Sequence, residues 1–165
     1  MRKLFSNGLA VFAGVVSLPV GGSHADSAKP AAAEHRSEPD RGPRLSSIRR
    51  FFERNNCPAA ALSSVFLEAS DTYDLDWRLL PSLSFVESTG GKAAKNNNLF
   101  GWDSGRAAFA SPIACIHSVA FSLANSALYR DKDLDGILRT YNPLEGYVAR
   151  VKGVMRRIAP RERVD

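Results

Sequence analysis

The stretch SFVESTGG, Ser84 to Gly91, closes an apolar run with one carboxylate and follows it with two glycines. On a helix Glu87 comes four residues after Leu83 and seven after Leu80, so it shares their face. On that face desolvation penalises the charged form and raises the carboxyl pKa. The acid then keeps a proton near neutral pH, as a general acid must. The negative end of the helix dipole acts in the same direction. Gly90 and Gly91 end the helix, and without side chains they would let a polymer pass close to the backbone. The competing reading is a glutamate at the edge of the stripe that turns into water.

One further carboxylate, Asp103, stands between Glu87 and the next expected helix, in a Gly-Trp-Asp-Ser segment. Glycoside hydrolysis pairs an acid with a second carboxylate acting as base or nucleophile, and Asp103 could be that partner. Asp before Ser-Gly is equally a turn signal. If Asp103 only turns the chain, a single acid must serve. His117 falls on the face of Ile113 and reads as a core or boundary histidine. Cys57 and Cys115 are either a disulfide tying the start of the domain to its middle or two separate buried thiols. Neither has metal-ligand spacing to a histidine, and no metal or cofactor is expected.

The elements that position these residues read as helices. Ser46 and Ser47 cap a first helix carrying Ile48, Phe51 and Phe52, which stops near Asn55 and Asn56. Pro58 opens a second, with Leu62, Val65, Phe66 and Ala69 at helical spacing. Asp76 caps a third, whose stripe is Leu79, Leu80, Leu83 and Val86, with Pro81 tolerated in its first turn. Residues 90–110 hold too many Gly and Asn for a helix, which leaves a loop with at most one short hairpin. Ser111 and Pro112 start a helix with Ile113, Ile116, Ala120 and Leu123 on one face. Asp133 caps the run through Leu134, Ile137 and Leu138. After Asn142-Pro143 a last helix buries Tyr147, Val148, Val151, Val154, Met155 and Ile158. The expectation is an all-α domain.

The chain has 165 residues, 44% hydrophobic and 24% charged, which suits one domain with a real core. Arg2 and Lys3 precede an apolar run from Leu4 to Val20, and Ser23-His24-Ala25 offers small residues for cleavage. Residues 1–25 therefore read as a secretory signal. An uncleaved anchor is the alternative, disfavoured by Ser6, Asn7, Gly8 and Pro19 within the run. Residues 26–44 read as a flexible tether, 45–160 as the domain and 161–165 as a tail. Without the leader the net charge falls from +5 to +3. That mild excess suits an anionic polymer such as a cell wall and is too dispersed for nucleic acid. The mature protein is expected to be monomeric, exported to the periplasm or beyond, and not held in a membrane.

Three segments carry a resemblance. SFVESTGGK, NNNLFGWDSG from Asn96 to Gly105, and RTYNPLEGY from Arg139 to Tyr147 occur in the order of the bacterial lysozyme-like families. The chain resembles in particular their glucosaminidase domain, described as mannosyl-glycoprotein endo-β-N-acetylglucosaminidase-like, over roughly 48–158. The resemblance implies a lysozyme-like helical fold with a cleft for peptidoglycan or a related N-acetylated glycan, and Glu87 as catalytic acid. It implies that Asn97, Asn98, Phe100, Gly101 and Trp102 line the cleft, an amide bonding an N-acetyl group and a ring packing on a sugar. Core packing is the other reading for Phe100 and Trp102. Tyr141 matches a tyrosine facing the acid, against a helix-end tyrosine bonded to backbone. Asn142 either contacts the glycan or turns the chain before Pro143. The resemblance also leaves open lytic transglycosylases, where one residue is acid and base and the sugar's own hydroxyl closes an anhydro ring. A wall-binding module without activity is the alternative of another class.

Overall fold

The computed structural model describes residues 38–159, and among them the fold is all-α, with six α-helices and no strand. The leader at 1–25 and the tail at 161–165 lie outside the described residues. No helix among the described residues is long and apolar enough to cross a membrane.

The first helix, α1 (Glu38–Arg54), begins earlier than the serines suggest and takes in the last seven residues assigned to the tether. Charge, not apolar periodicity, holds this extension. The Arg44 side chain is only 6% exposed and meets Asp71 at 2.9 Å and Asp40 at 3.1 Å, while Arg41 reaches Asp71 at 3.5 Å. Asp71 belongs to α2 (Ser63–Thr72), so the helix start is pinned across the fold. Ile48, Phe51 and Phe52 face the core, as their spacing requires. The helix stops where the asparagines stand: Asn55 Nδ2 bonds the Phe51 carbonyl at 2.7 Å and Asn56 takes a left-handed φ of 51°.

Pro58 does not open α2 directly. It starts a 3₁₀ turn, Pro58–Leu62, whose Ala59 amide bonds the Gly90 carbonyl at 3.0 Å. α3 (Leu79–Ser88) follows an Asp76 whose carboxylate accepts from the Arg78 amide at 3.0 Å, and Pro81 sits in its first turn, where no amide partner is lost. Leu79, Leu80 and Leu83 are buried as expected, but so are Ser82 and Ser84, so α3 is enclosed on nearly all sides. α4 (Pro112–Asn125) is capped by Ser111, whose Oγ accepts from Ala114 at 3.1 Å, and α5 (Leu134–Tyr141) by Asp133, which accepts from Gly136 at 2.7 Å. Ile113 departs from the expected face of α4: it is 48% exposed, and Cys115 and Val119 pack inward beside Ile116, Ala120 and Leu123.

The last helix, α6 (Tyr147–Ile158), lies along α3, and its Tyr147, Val151, Val154, Met155 and Ile158 complete the core. The two run in opposite directions. Arg78 at the start of α3 reaches the Ala159 carbonyl at 3.3 Å, and Glu87 at its end meets Tyr147. The loop 90–110 contains one isolated bridge, between Lys95 and Asn98, and otherwise only turns.

Candidate active site

Glu87 occupies the last turn of α3 and is half-buried. Its Oε1 accepts the Tyr147 hydroxyl at 2.7 Å. Burial raises the Glu87 pKa above the ordinary carboxyl range. The Tyr147 hydrogen bond and the nearby Arg150 charge pull the other way and are the smaller effects. Oε2 has no hydrogen bond among the described residues. It faces Gly101, where a Cβ would stand 3.2 Å from Oε2 and φ is +61°. A side chain there would be strained and would cover the open carboxyl oxygen. One oxygen is thus held and the other left clear, which suits a group that gives up a proton.

The residues after Glu87 build this geometry. Ser88 Oγ bonds the Leu99 carbonyl at 2.7 Å and accepts the Gly91 amide at 3.0 Å, tying the helix end to the following loop. Thr89, not a glycine, is the left-handed cap, with φ of 54°. Gly90 is buried, and a Cβ on it would lie 2.7 Å from Cys57 Cβ, so this glycine is required by packing and offers no passage for a polymer. Gly91 backs onto Leu99 in the same way. The room beside the acid comes from Gly101 instead.

The Asn-Asn-Leu-Phe-Gly loop is organised from within. Asn98 is 4% exposed, its Nδ2 bonds the carbonyls of Trp102 at 2.9 Å and Ala107 at 3.2 Å, and its Oδ1 accepts the Trp102 amide at 2.9 Å. The amide expected to bind an N-acetyl group is therefore a loop knot with its donors used. Asn97 is exposed and bonds the Phe109 carbonyl at 2.8 Å. Phe100 is fully buried against Phe66, which makes core packing its role. Trp102 is only partly buried, its ring 5.7 Å from Tyr141 and 6.3 Å from Tyr129.

Tyr141 does not meet the acid. Its hydroxyl donates to the Phe100 carbonyl at 2.5 Å, and its ring stacks on Tyr147 at 6.1 Å. The helix-end reading holds for Tyr141, and the tyrosine on Glu87 is Tyr147, which its spacing had marked only as core. Burial pushes both phenols well above their ordinary pKa, so each stays a donor. Asn142 is buried and turns the chain, accepting the Leu144 amide at 3.1 Å. Asp103 also behaves as a turn residue. It has a left-handed φ of 52°, its side chain is 37% exposed, and it pairs with Arg106 at 2.6 Å, which holds its carboxyl below the usual range.

The two cysteines are free and buried, so the disulfide weighed from sequence is not formed. They face different partners: Cys57 packs under Gly90, while Cys115 lies beside the Leu99 and Phe100 backbone. Burial pushes the Cys115 thiol up to about 11. At neutral pH the native protein should alkylate slowly and the unfolded, unreduced protein should gain two adducts by mass. An unmodified mass after denaturation would restore the bond. Among the described residues no group of three His, Cys, Asp or Glu could hold a metal ion.

No family model, no curated protein and no solved structure matches the chain.

Proposed function

We propose that the protein is an exported, lysozyme-like enzyme that cleaves the glycan strands of peptidoglycan, with Glu87 as the general acid. The observation that carries this reading is the carboxyl itself. It is half-buried, raised in pKa, held at Oε1 by Tyr147 and left clear at Oε2 beside Gly101. Trp102 offers an aromatic face for a sugar at the end of the same loop. In the first step the Glu87 proton passes to the glycosidic oxygen as the bond from C1 to that oxygen breaks.

The fate of C1 divides hydrolysis of the endo-β-N-acetylglucosaminidase type from a lytic transglycosylase. A hydrolase of that type activates a water with a second carboxylate. The engagement of Asp103 with Arg106 favours the transglycosylase. There the 6-hydroxyl oxygen of the same sugar bonds to C1, and its proton returns to the Glu87 carboxylate. Digestion of purified peptidoglycan should then give 1,6-anhydro ends by mass spectrometry, and Asp103→Asn should leave the rate and products unchanged. Reducing ends together with a crippled Asp103→Asn would assign hydrolysis. A protein that binds walls but never clears a wall suspension would be the non-catalytic module instead.

A further inference from the structure

Helix α6 carries four basic residues, Arg150, Lys152, Arg156 and Arg157, and no acidic one. Three lie away from the acid or have settled partners. Lys152 donates to Asp135 at 2.7 Å, Arg157 stands over Phe51 and Phe85 at 5.3 and 5.5 Å, and Arg156 lines a groove with Arg139 and Leu144. Arg150 differs. It is exposed, makes no salt bridge among the described residues, and lies 5.3 Å over the ring of Tyr147, the tyrosine whose hydroxyl holds Glu87.

A cation in this position works against the acid. Its field favours ionised Glu87, whereas a general acid must keep its proton. It would also oppose positive charge developing on a sugar ring. The cost is offset if the substrate supplies an anion, because a guanidinium resting on an aromatic face keeps its edge donors outward in the geometry that a carboxylate takes. Binding that anion would also cancel the field on Glu87 and return the acid toward its protonated form.

We infer that Arg150 binds a carboxylate of the glycan being cut, so that the preferred substrate is a carboxylate-bearing strand and not a neutral one. This rests on the glycan-cleaving reading of Glu87. The carboxylate can belong to the lactyl group of a sugar or to a peptide attached to it.

Calorimetric titration of the Glu87→Gln protein, which binds without turnover, tests the inference. The probes are soluble peptide-bearing wall disaccharides, the same fragments with every carboxylate amidated, and peptide-free fragments with a free lactyl carboxylate. The fragment that presents the recognised carboxylate should bind about 10-fold more tightly than the amidated one, as for loss of one charge-assisted hydrogen-bonded contact. Adding Arg150→Gln should erase that difference, and Arg150→Lys should restore part of it. Tight binding of the peptide-free fragment alone places the carboxylate on the sugar, since the peptide-bearing fragment has its lactyl group tied up as an amide, and tight binding of the peptide-bearing fragment alone places it on the peptide. Equal affinities of all three probes in the parent, discrimination that survives Arg150→Gln, or no binding of any probe would each overturn the inference. Wall clearing by the wild-type protein, measured separately, shows whether the reading of Glu87 falls with it.

Discussion

Glu87→Gln lowers the clearing of purified cell walls by about 100-fold or more, the usual worth of a positioned general acid. The substitution keeps the shape, and the amide oxygen can still accept the Tyr147 hydroxyl. Only the titrating proton is lost. The fold should not suffer. Burial puts the folded pKa of Glu87 above its unfolded value, so its favourable protonated form is present below the unfolded pKa and lost as pH rises through the folded one. Above its folded pKa the wild-type chain carries a half-desolvated carboxylate that the Gln chain lacks. Melting curves should therefore show the variant gaining on wild type as pH rises from the unfolded pKa of Glu87 through its folded one. Near-wild-type clearing by a folded Gln variant would remove Glu87 from the mechanism.

Glu87 was legible because helical spacing alone puts it with Leu80 and Leu83, and burial then follows from what surrounds those leucines. The caps at Ser111 and Asp133 were legible for a similar reason, since each side chain bonds an amide three residues away. Contacts between segments distant in sequence were not. The start of α1 is held by Arg44 on Asp71, and a search for apolar periodicity passes over such a tie. Asn97 and Asn98 read as ligand-facing through the resemblance, yet a loop with so few apolar anchors needs its own amides to satisfy its backbone. Tyr147 was missed because its spacing with Val151, Val154 and Ile158 already explains its burial. The available signal was its hydroxyl: a buried phenol needs a partner, and the acid on an apolar face needed a donor.

Tyr147→Phe and Tyr141→Phe separate the two tyrosines. Loss of the Tyr147 hydroxyl removes a hydrogen bond to an ionisable group, worth about 1.5–3 kcal/mol, or roughly 10- to 100-fold in kcat if that bond sets the direction of the carboxyl. The pH profile supplies a second reading that a loss of packing would not move. The charged or titratable groups that bear on Glu87 are Tyr147 and Arg150 on α6 and Tyr141 on α5. The Tyr147 hydrogen bond lowers the Glu87 pKa, so its removal leaves burial less opposed and the pKa rises further. Activity needs protonated Glu87 and declines as pH passes its pKa, so the alkaline limb should shift to higher pH even as the maximum falls. Tyr141→Phe should act on the loop instead, because its hydroxyl holds the Phe100 carbonyl. A buried carbonyl left without that donor costs about 1–3 kcal/mol of stability, read as a lower urea midpoint with the alkaline limb in place. If the limb moved with Tyr141→Phe and stayed fixed with Tyr147→Phe, the acid would be under the control of the tyrosine that the motif first indicated.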